Sequence, residues 1–252
     1  MAIKRWEIPV FDSIDAQRLY IKEHLAASCV ALGELGFDNG VSGLLSVRDP
    51  EFLDHFWLSP YGVAFGDVSV SKLVEVNING ITLSGDYPIN DDEFVTHSAV
   101  YSLRTDVMSV VHAHTMYAEA YSTLGVLLDP ITYEACAFYK DHSIYTDFEL
   151  SFGTVEEAKN IAYTLGENKA CILQNHGLIT VGQTIDEAVW WLISMERSCK
   201  AQILADSCGK PLRIANDIAE ARAEKVGSAF SGWLNFQPLY SKAVSKFPFL
   251  LQ

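Results

Sequence analysis

The chain has 252 residues, of which 49% are hydrophobic and 20% charged, with a formal net charge of −14. Such a length supports one large domain with a substantial core, and no linker, repeat or low-complexity tract divides it, so residues 1–252 are expected to fold as a single unit. The acidic balance, without any basic run, argues against nucleic acid and anionic membrane as partners, and no apolar stretch reaches bilayer length.

The opening residues Met1 to Pro9 lack the apolar core of a signal peptide, so a soluble, intracellular, cytoplasmic protein is expected. The first long element spans Ser13 to Leu35, with Ile14, Leu19, Tyr20, Leu25, Val30 and Leu32 as the buried stripe of an amphipathic helix, broken by Gly33, Gly36 and Gly40. A β meander follows: Gly43 to Val47, His55 to Leu58 and Leu73 to Val76, then an Asn79-Gly80 turn before Ile81 to Leu83. Asp91 to Leu103 reads as a helix, and Asp91, Asp92 and Glu93 suit the positive end of its dipole, which alone would account for all of them.

A strand beginning near Val107 leads to a helix from Met116 to about Thr123, ended near Gly125. Thr154-Val-Glu-Glu157 and Thr184-Ile-Asp-Glu187 have the form of capping boxes and launch helices that end near Gly166 and Asp206. Apolar strands flank His176 between them, and Trp190 and Trp191 read as packing residues of the second helix. A weaker helix from Ile214 to Val226 and an aromatic segment from Trp233 to Tyr240 form a covering tail over 206–252. Cys29, Cys136, Cys171, Cys199 and Cys208 are dispersed without a Cys-x-x-Cys pair, an odd set that reads as reduced core thiols.

Runs of strands and interleaved helices without regular β-α-β alternation indicate an α+β fold. The chemistry concentrates at Val110-Val-His-Ala-His-Thr115, where alternation along a strand points His112 and His114 the same way, so that both could ligate one metal. The pair by itself also fits a half-buried strand whose polar positions happen to be histidine. His176, in the polar break before Gly177, is the natural third ligand, although alone it would read as a turn residue. Three neutral imidazoles leave a divalent ion an open position, as in a catalytic zinc site; manganese, cobalt and iron remain open alternatives.

Asn90-Asp-Asp-Glu-Phe-Val-Thr-His97, Arg104 to His114 and Leu173-Gln-Asn-His-Gly177 resemble, in order and spacing, the class II aldolase/adducin family, with similarity from about Gly33 to Ala205. The resemblance implies a three-layer αβα sandwich with a largely antiparallel central sheet. It also implies a homo-oligomer, commonly a tetramer, with active sites at subunit boundaries. By the same resemblance Glu93 matches a general base that can also touch the metal, and Tyr133 falls where the aldolases place a tyrosine acid, although an ordinary packed tyrosine fits as well. His97 would face the site one turn beyond Glu93 or stand behind the ligands, and a hydrogen-bonded core histidine fits equally. Burial would raise the pKa of Glu93 and a nearby cation would lower it.

Where sugar-phosphate aldolases of the family hold phosphate, this chain reads Gly43-Leu44-Leu45-Ser46, Pro60-Tyr61-Gly62 and Asp91-Asp92. Leu44 and Tyr61 remove small polar donors, and Asp91 and Asp92 would repel a phosphate dianion by roughly several kcal/mol unless protonated or screened. Leu44, Tyr61, Asp91, Asp92 and His97 are therefore the expected substrate-binding positions, and the pocket is expected to suit a non-phosphorylated compound, with an aromatic substrate compatible. The expected function is a metal-dependent lyase that cleaves or decarboxylates a hydroxy- or keto-carbonyl small molecule through an enolate. Two alternatives stand beside it: an adducin-like scaffold without catalysis, and an epimerase or dehydratase that uses the same metal site.

Overall fold

The computed structural model describes residues 6–147 and 153–252; the extreme N-terminal residues 1–5, part of the segment read above for a leader, lie outside them. The architecture is an eight-stranded sheet between two helical layers, in strand order β4-β3-β2-β1-β5-β8-β7-β6. In chain order the strands are β1 (Leu44–Arg48), β2 (His55–Leu58), β3 (Val74–Asn77), β4 (Thr82–Ser84), β5 (Ser109–Ala113), β6 (Ser143–Tyr145), β7 (Ala170–Leu173) and β8 (Gly177–Gly182). All neighbouring pairs are antiparallel except β6 with β7. The helices are α1 (Ile14–Glu34), α2 (Asp91–Leu103), α3 (Met116–Ser122), α4 (Val155–Leu165), α5 (Ile185–Cys208), α6 (Asn216–Val226) and α7 (Ala229–Lys246).

Strand periodicity divides the core into two. Leu45, Val47, Val111, Ala113, Ile172 and Leu178 face a layer built from α1, α3, α5 and α7. Their neighbours Leu44, Val110, Cys171, Ile179 and Val181 face α2 and α4. The sheet is thus buried on both sides, as the αβα expectation requires.

Local capping follows the sequence closely. Thr154 Oγ1 and Thr184 Oγ1 accept from the Glu157 and Glu187 amides at 3.2 and 3.1 Å. The returning glutamates accept from Gly153 N and Gln183 N, one residue before each threonine. Trp191 is fully buried and donates its indole N–H to Glu187 Oε1 at 3.0 Å, a packing role as expected.

The sequence reading departs from the structure in three places. In α1, Ile14 and Leu19 are 39% and 52% exposed, whereas every residue from His24 to Leu32 is buried. The C-terminal half of this helix is surrounded by α5, α7 and the sheet, so burial there runs all round and no stripe forms. The aromatic tail segment is part of α7, which packs closely on α5 and α1. The parallel strand β6 lies in a polar stretch, and its pairing with β7 alone makes it a strand. Of the five free cysteines, Cys29, Cys136, Cys171 and Cys199 are buried and Cys208 is exposed. Among the described residues no helix is long and apolar enough to cross a membrane.

Polar ties join the layers. His24 and Gln237 both donate to Asp186 Oδ1, at 2.7 and 2.9 Å, linking α1, α7 and α5. Arg48 gives its guanidinium to the carbonyls of Tyr101 and Arg104 at the C-terminal end of α2, where a cation suits the helix dipole. Asp49, fully buried, accepts from Arg18 Nε at 2.7 Å and Nη2 at 3.1 Å, from the Glu51 and Phe52 amides, and from the Trp57 indole. Burial pushes this carboxyl up, but Arg18, the two amides and the indole outweigh it and hold its pKa at about 2.

A carboxyl lowered from the usual 3.8 stabilises the fold above that value, and the contribution is lost as pH falls from there towards 2. Asp49→Asn should therefore cost about 2 kcal/mol at neutral pH. Urea unfolding from pH 7 downwards should show the gap to wild type narrowing below about pH 4. A gap that stays constant with pH would mean that the loss is one of shape, not charge.

Candidate metal centre

Strand β5 is hydrogen-bonded on both sides, with His112 opposite Leu44 on β1 and Ile179 on β8. That register leaves His112, 2% exposed, on the α2 face, and His114 just beyond the strand's end. The third ring arrives through the β7–β8 hairpin. Leu173 pairs with Gly177, Asn175 turns the chain in the left-handed region at φ 57°, and His176 follows it. Gly177 is required here, because a Cβ would meet the Ala113 carbonyl oxygen at 2.9 Å and hold β8 away from the histidine strand.

The three imidazoles converge, with ring centroids 4.9 Å apart for His112 and His114, 4.9 Å for His112 and His176, and 4.7 Å for His114 and His176. Each can supply a ring nitrogen within 4.8 Å of the others. Burial, and then the neighbouring rings, lower His114 to about 4 and His176 to about 3, so both are neutral at ordinary pH with lone pairs available. The Nε2 atoms of His112 and His114 are buried and have no hydrogen-bond partner. Buried ring nitrogens that converge without partners are costly unless something satisfies them, so this donor set fits a divalent metal.

Glu93 stands beside the cluster because Asn90 caps α2 and places it in the first turn. Its Oε1 accepts from Gly43 N at 2.9 Å, and its Oε2 lies 3.6 Å from His112 Nδ1. Gly43, at φ +100°, brings its amide there with no Cβ to press on the His112 carbonyl oxygen 3.1 Å away. Burial alone would raise the Glu93 pKa, but His112 and the Gly43 amide outweigh it and hold it at about 2. Of the opposed shifts anticipated from sequence, the lowered one prevails, and Glu93 is a carboxylate at neutral pH.

These groups open into a cleft of about 410 Å³, lined by Val41, Ser42, Tyr61, Asn90, Asp92, Glu93, His114, Glu119, Asn175 and His176. Of the positions expected to bind substrate, Tyr61 and Asp92 reach it. Leu44 does not: at 1% exposure it packs with Phe56 and Val110 in the core, because its strand is central and covered by α2. Asp91 faces a separate groove beside Phe94 and Val95, one residue round the helix from Asp92. His97 is fully buried, with Nδ1 on Ser46 Oγ at 2.7 Å, and burial lowers it to about 3. Tyr133 is 47% exposed and lines a different cleft of about 720 Å³ with Trp190, Arg197 and Phe230, its ring under the Arg222 guanidinium.

Sequence reasoning missed Gly43 and Glu119. Glu119 Oε1 lies 3.5 Å from His114 Nδ1, and burial, then the charge of Glu196, raise its pKa. The available signal was its place in the first turn of the helix that begins just after His114.

Comparison with known proteins identifies the family. Residues 23–203 match the family model described as Class II Aldolase and Adducin N-terminal domain. The chain is 36% identical over 242 residues to "Decarboxylase NovR" of Streptomyces niveus, spanning 95% of this chain and 90% of that protein. It is 34% identical over 242 residues to "4-hydroxy-3-prenylphenylpyruvate oxygenase/4-hydroxy-3-prenylbenzoate synthase" of Streptomyces roseochromogenus subsp. oscitans, spanning 95% and 87%. The solved structure of an L-fuculose 1-phosphate aldolase from Glaciozyma antarctica PI12 superimposes with a TM-score of 0.91 at 36% identity, covering 98% of this chain and 97% of that one. Sandwich topology, the family match over residues 23–203 and near full-length similarity converge, and the chain belongs to the class II aldolase/adducin family.

Proposed function

We propose that this protein is a metal-dependent lyase that cleaves or decarboxylates a non-phosphorylated hydroxy- or keto-carbonyl compound. The observation that carries the proposal is the convergence of three histidines beside an anionic, anchored carboxylate. His112, His114 and His176 would hold the ion, zinc first and manganese, cobalt or iron(II) after it. Such an ion, when bound, polarises a substrate carbonyl and stabilises the negative charge that develops as a carbon–carbon bond breaks or a proton leaves.

In this reading Glu93 moves the proton. The Gly43 amide fixes one of its oxygens and leaves the other beside the histidines. His97, one turn further along α2, is held by Ser46 in the buried layer. Tyr61, Asn90 and Asn175 offer hydrogen bonds to substrate hydroxyl or carbonyl groups at the cleft wall.

The choice of a non-phosphorylated substrate rests on charge. The described residues lining the cleft include Asp92, Glu93 and Glu119 and no lysine or arginine, which disfavours a phosphate dianion by roughly several kcal/mol. The relatives named as a decarboxylase and as acting on 4-hydroxy-3-prenylphenylpyruvate support a keto acid with an aromatic body. The neighbour named for a sugar phosphate shares the fold, and the acidic lining of this cleft is what favours the unphosphorylated class. The proposal includes a cytoplasmic homo-oligomer, a tetramer first.

Mass spectrometry of protein purified without chelating resin should find about one metal per chain, and His112→Ala and His176→Ala should lose it while circular dichroism is unchanged. Wild type that takes up no zinc or manganese would turn the reading to a scaffold. Glu93→Gln should retain its metal and lose roughly 10²- to 10⁴-fold in turnover. In substrate screens, unphosphorylated keto- or hydroxy-carbonyl compounds should be turned over faster than sugar phosphates, and the reverse order would sink the substrate assignment.

A further inference from the structure

Helix α3 starts directly after Thr115, the residue that follows His114, yet Thr115 makes no side-chain cap to its own helix. The cap comes from α5 instead. Glu196, 5% exposed, accepts at Oε2 from Thr115 Oγ1 at 2.6 Å and Ala118 N at 2.7 Å, and at Oε1 from Tyr117 N at 3.0 Å. A buried carboxylate is expensive when unpaired; three donors and the positive end of a helix offset that cost here. The first turn of α3 is thereby pinned to α5, on the face of the sheet opposite α2.

Glu119, in that same first turn of α3, lines the cleft with its Oε1 3.5 Å from His114 Nδ1. His114 Nε2 is left buried with no hydrogen-bond partner. A carboxylate on one imidazole nitrogen fixes the tautomer and the ring plane, and so decides which nitrogen is offered to a metal.

We propose that Glu196 is a positioning residue for the histidine cluster: by clamping the first turn of α3 it holds the Glu119 carboxylate on Nδ1 of His114 and keeps Nε2 free for the metal. The inference rests on the metal reading of the three histidines. It assigns to a residue outside the cleft, on a different helix, control over one ligand's orientation.

Two readouts test it. In metal-free protein, long-range ¹H–¹⁵N NMR of the imidazoles should show His114 as the Nδ1–H tautomer in wild type and as a mixture in Glu196→Ala and Glu119→Ala. With zinc alone, chelator competition should show affinity weakened about ten-fold or more in each single variant, with no further loss in the double variant. Thr115→Val, which removes one donor and leaves the two amides, should weaken zinc binding less. Asp49→Asn, which lowers stability away from the site, should leave it unchanged. If Glu196→Ala fails to fold, Glu196→Gln keeps the volume and loses one acceptor oxygen, and should mix the tautomers in part.

An unaltered His114 tautomer with unaltered zinc affinity in the Glu196 variants overturns the proposal, as do losses that multiply in the double variant. Wild type that binds no zinc overturns the metal reading, and the tautomer measurement then still decides whether Glu196 acts on His114 through α3.

Discussion

The pairing of β5 with β1 on one side and β8 on the other is the constraint from which the site follows. A strand bonded on both edges has no freedom to slip, and a slip of one residue would turn His112 from the α2 layer to the opposite layer. With the register fixed, His112 meets Glu93 from α2, the strand's end presents His114, and the β7–β8 hairpin must deliver His176 to the same point. Two glycines make the approaches close enough: Gly177 under the strand end and Gly43 beside Glu93. The site is thus held by backbone geometry in the middle of a sheet, where rigidity is greatest.

Around that frame this acidic chain uses buried carboxylates as ties. Asp49 joins α1 to the β1–β2 turn, Asp186 joins α5 to α1 and α7, Glu187 closes the cap of α5, and Glu196 joins α5 to α3. Each gathers two or more donors, which offsets the cost of burying a carboxyl group, although Asp186 leaves Oδ2 without a partner. Glu93 belongs to the same class but has a different balance. One oxygen is tied to Gly43, while the other has no hydrogen-bond partner and stands beside His112. A carboxylate only half satisfied, next to the unpartnered Nε2 atoms of His112 and His114, is an arrangement that a metal and a substrate complete.

Electrostatics also separates the two faces of α2's first turn. Asp92 and Glu93 turn into the cleft and Asp91 turns away, although the sequence presents them as a run. Together with Glu119 they make the cleft acidic before any metal is considered. An ion bound among the histidines would offset much of that charge locally, and a substrate with a carbonyl and a single negative charge suits the result better than a dianion.

Much of this was legible in the sequence. Capping residues, the Asn79-Gly80 turn and the alternation around His112 are local signals, governed by neighbours in the chain, and they located most helices and strands within a residue or two. The histidine set and Glu93 were expected from the resemblance of their motif segments to the family, since local signals alone fit helix-start acids and a turn histidine as well. Tertiary structure alone decided the rest. Leu44 looked like a pocket residue and is core, since its strand is covered on that face by α2. The exposed beginning and wholly buried end of α1 depend on which helices surround it. Strand β6 exists because β7 lies beside it. Glu119 lines the cleft from α3 while Glu196 ties α3 to α5, and no spacing along the chain encodes the approach of α5 to α3. Sequence by itself determined the elements and the chemistry they carry; packing across the sheet determined which of those groups meet, because contacts between distant segments are set by the layered fold and not by local preference.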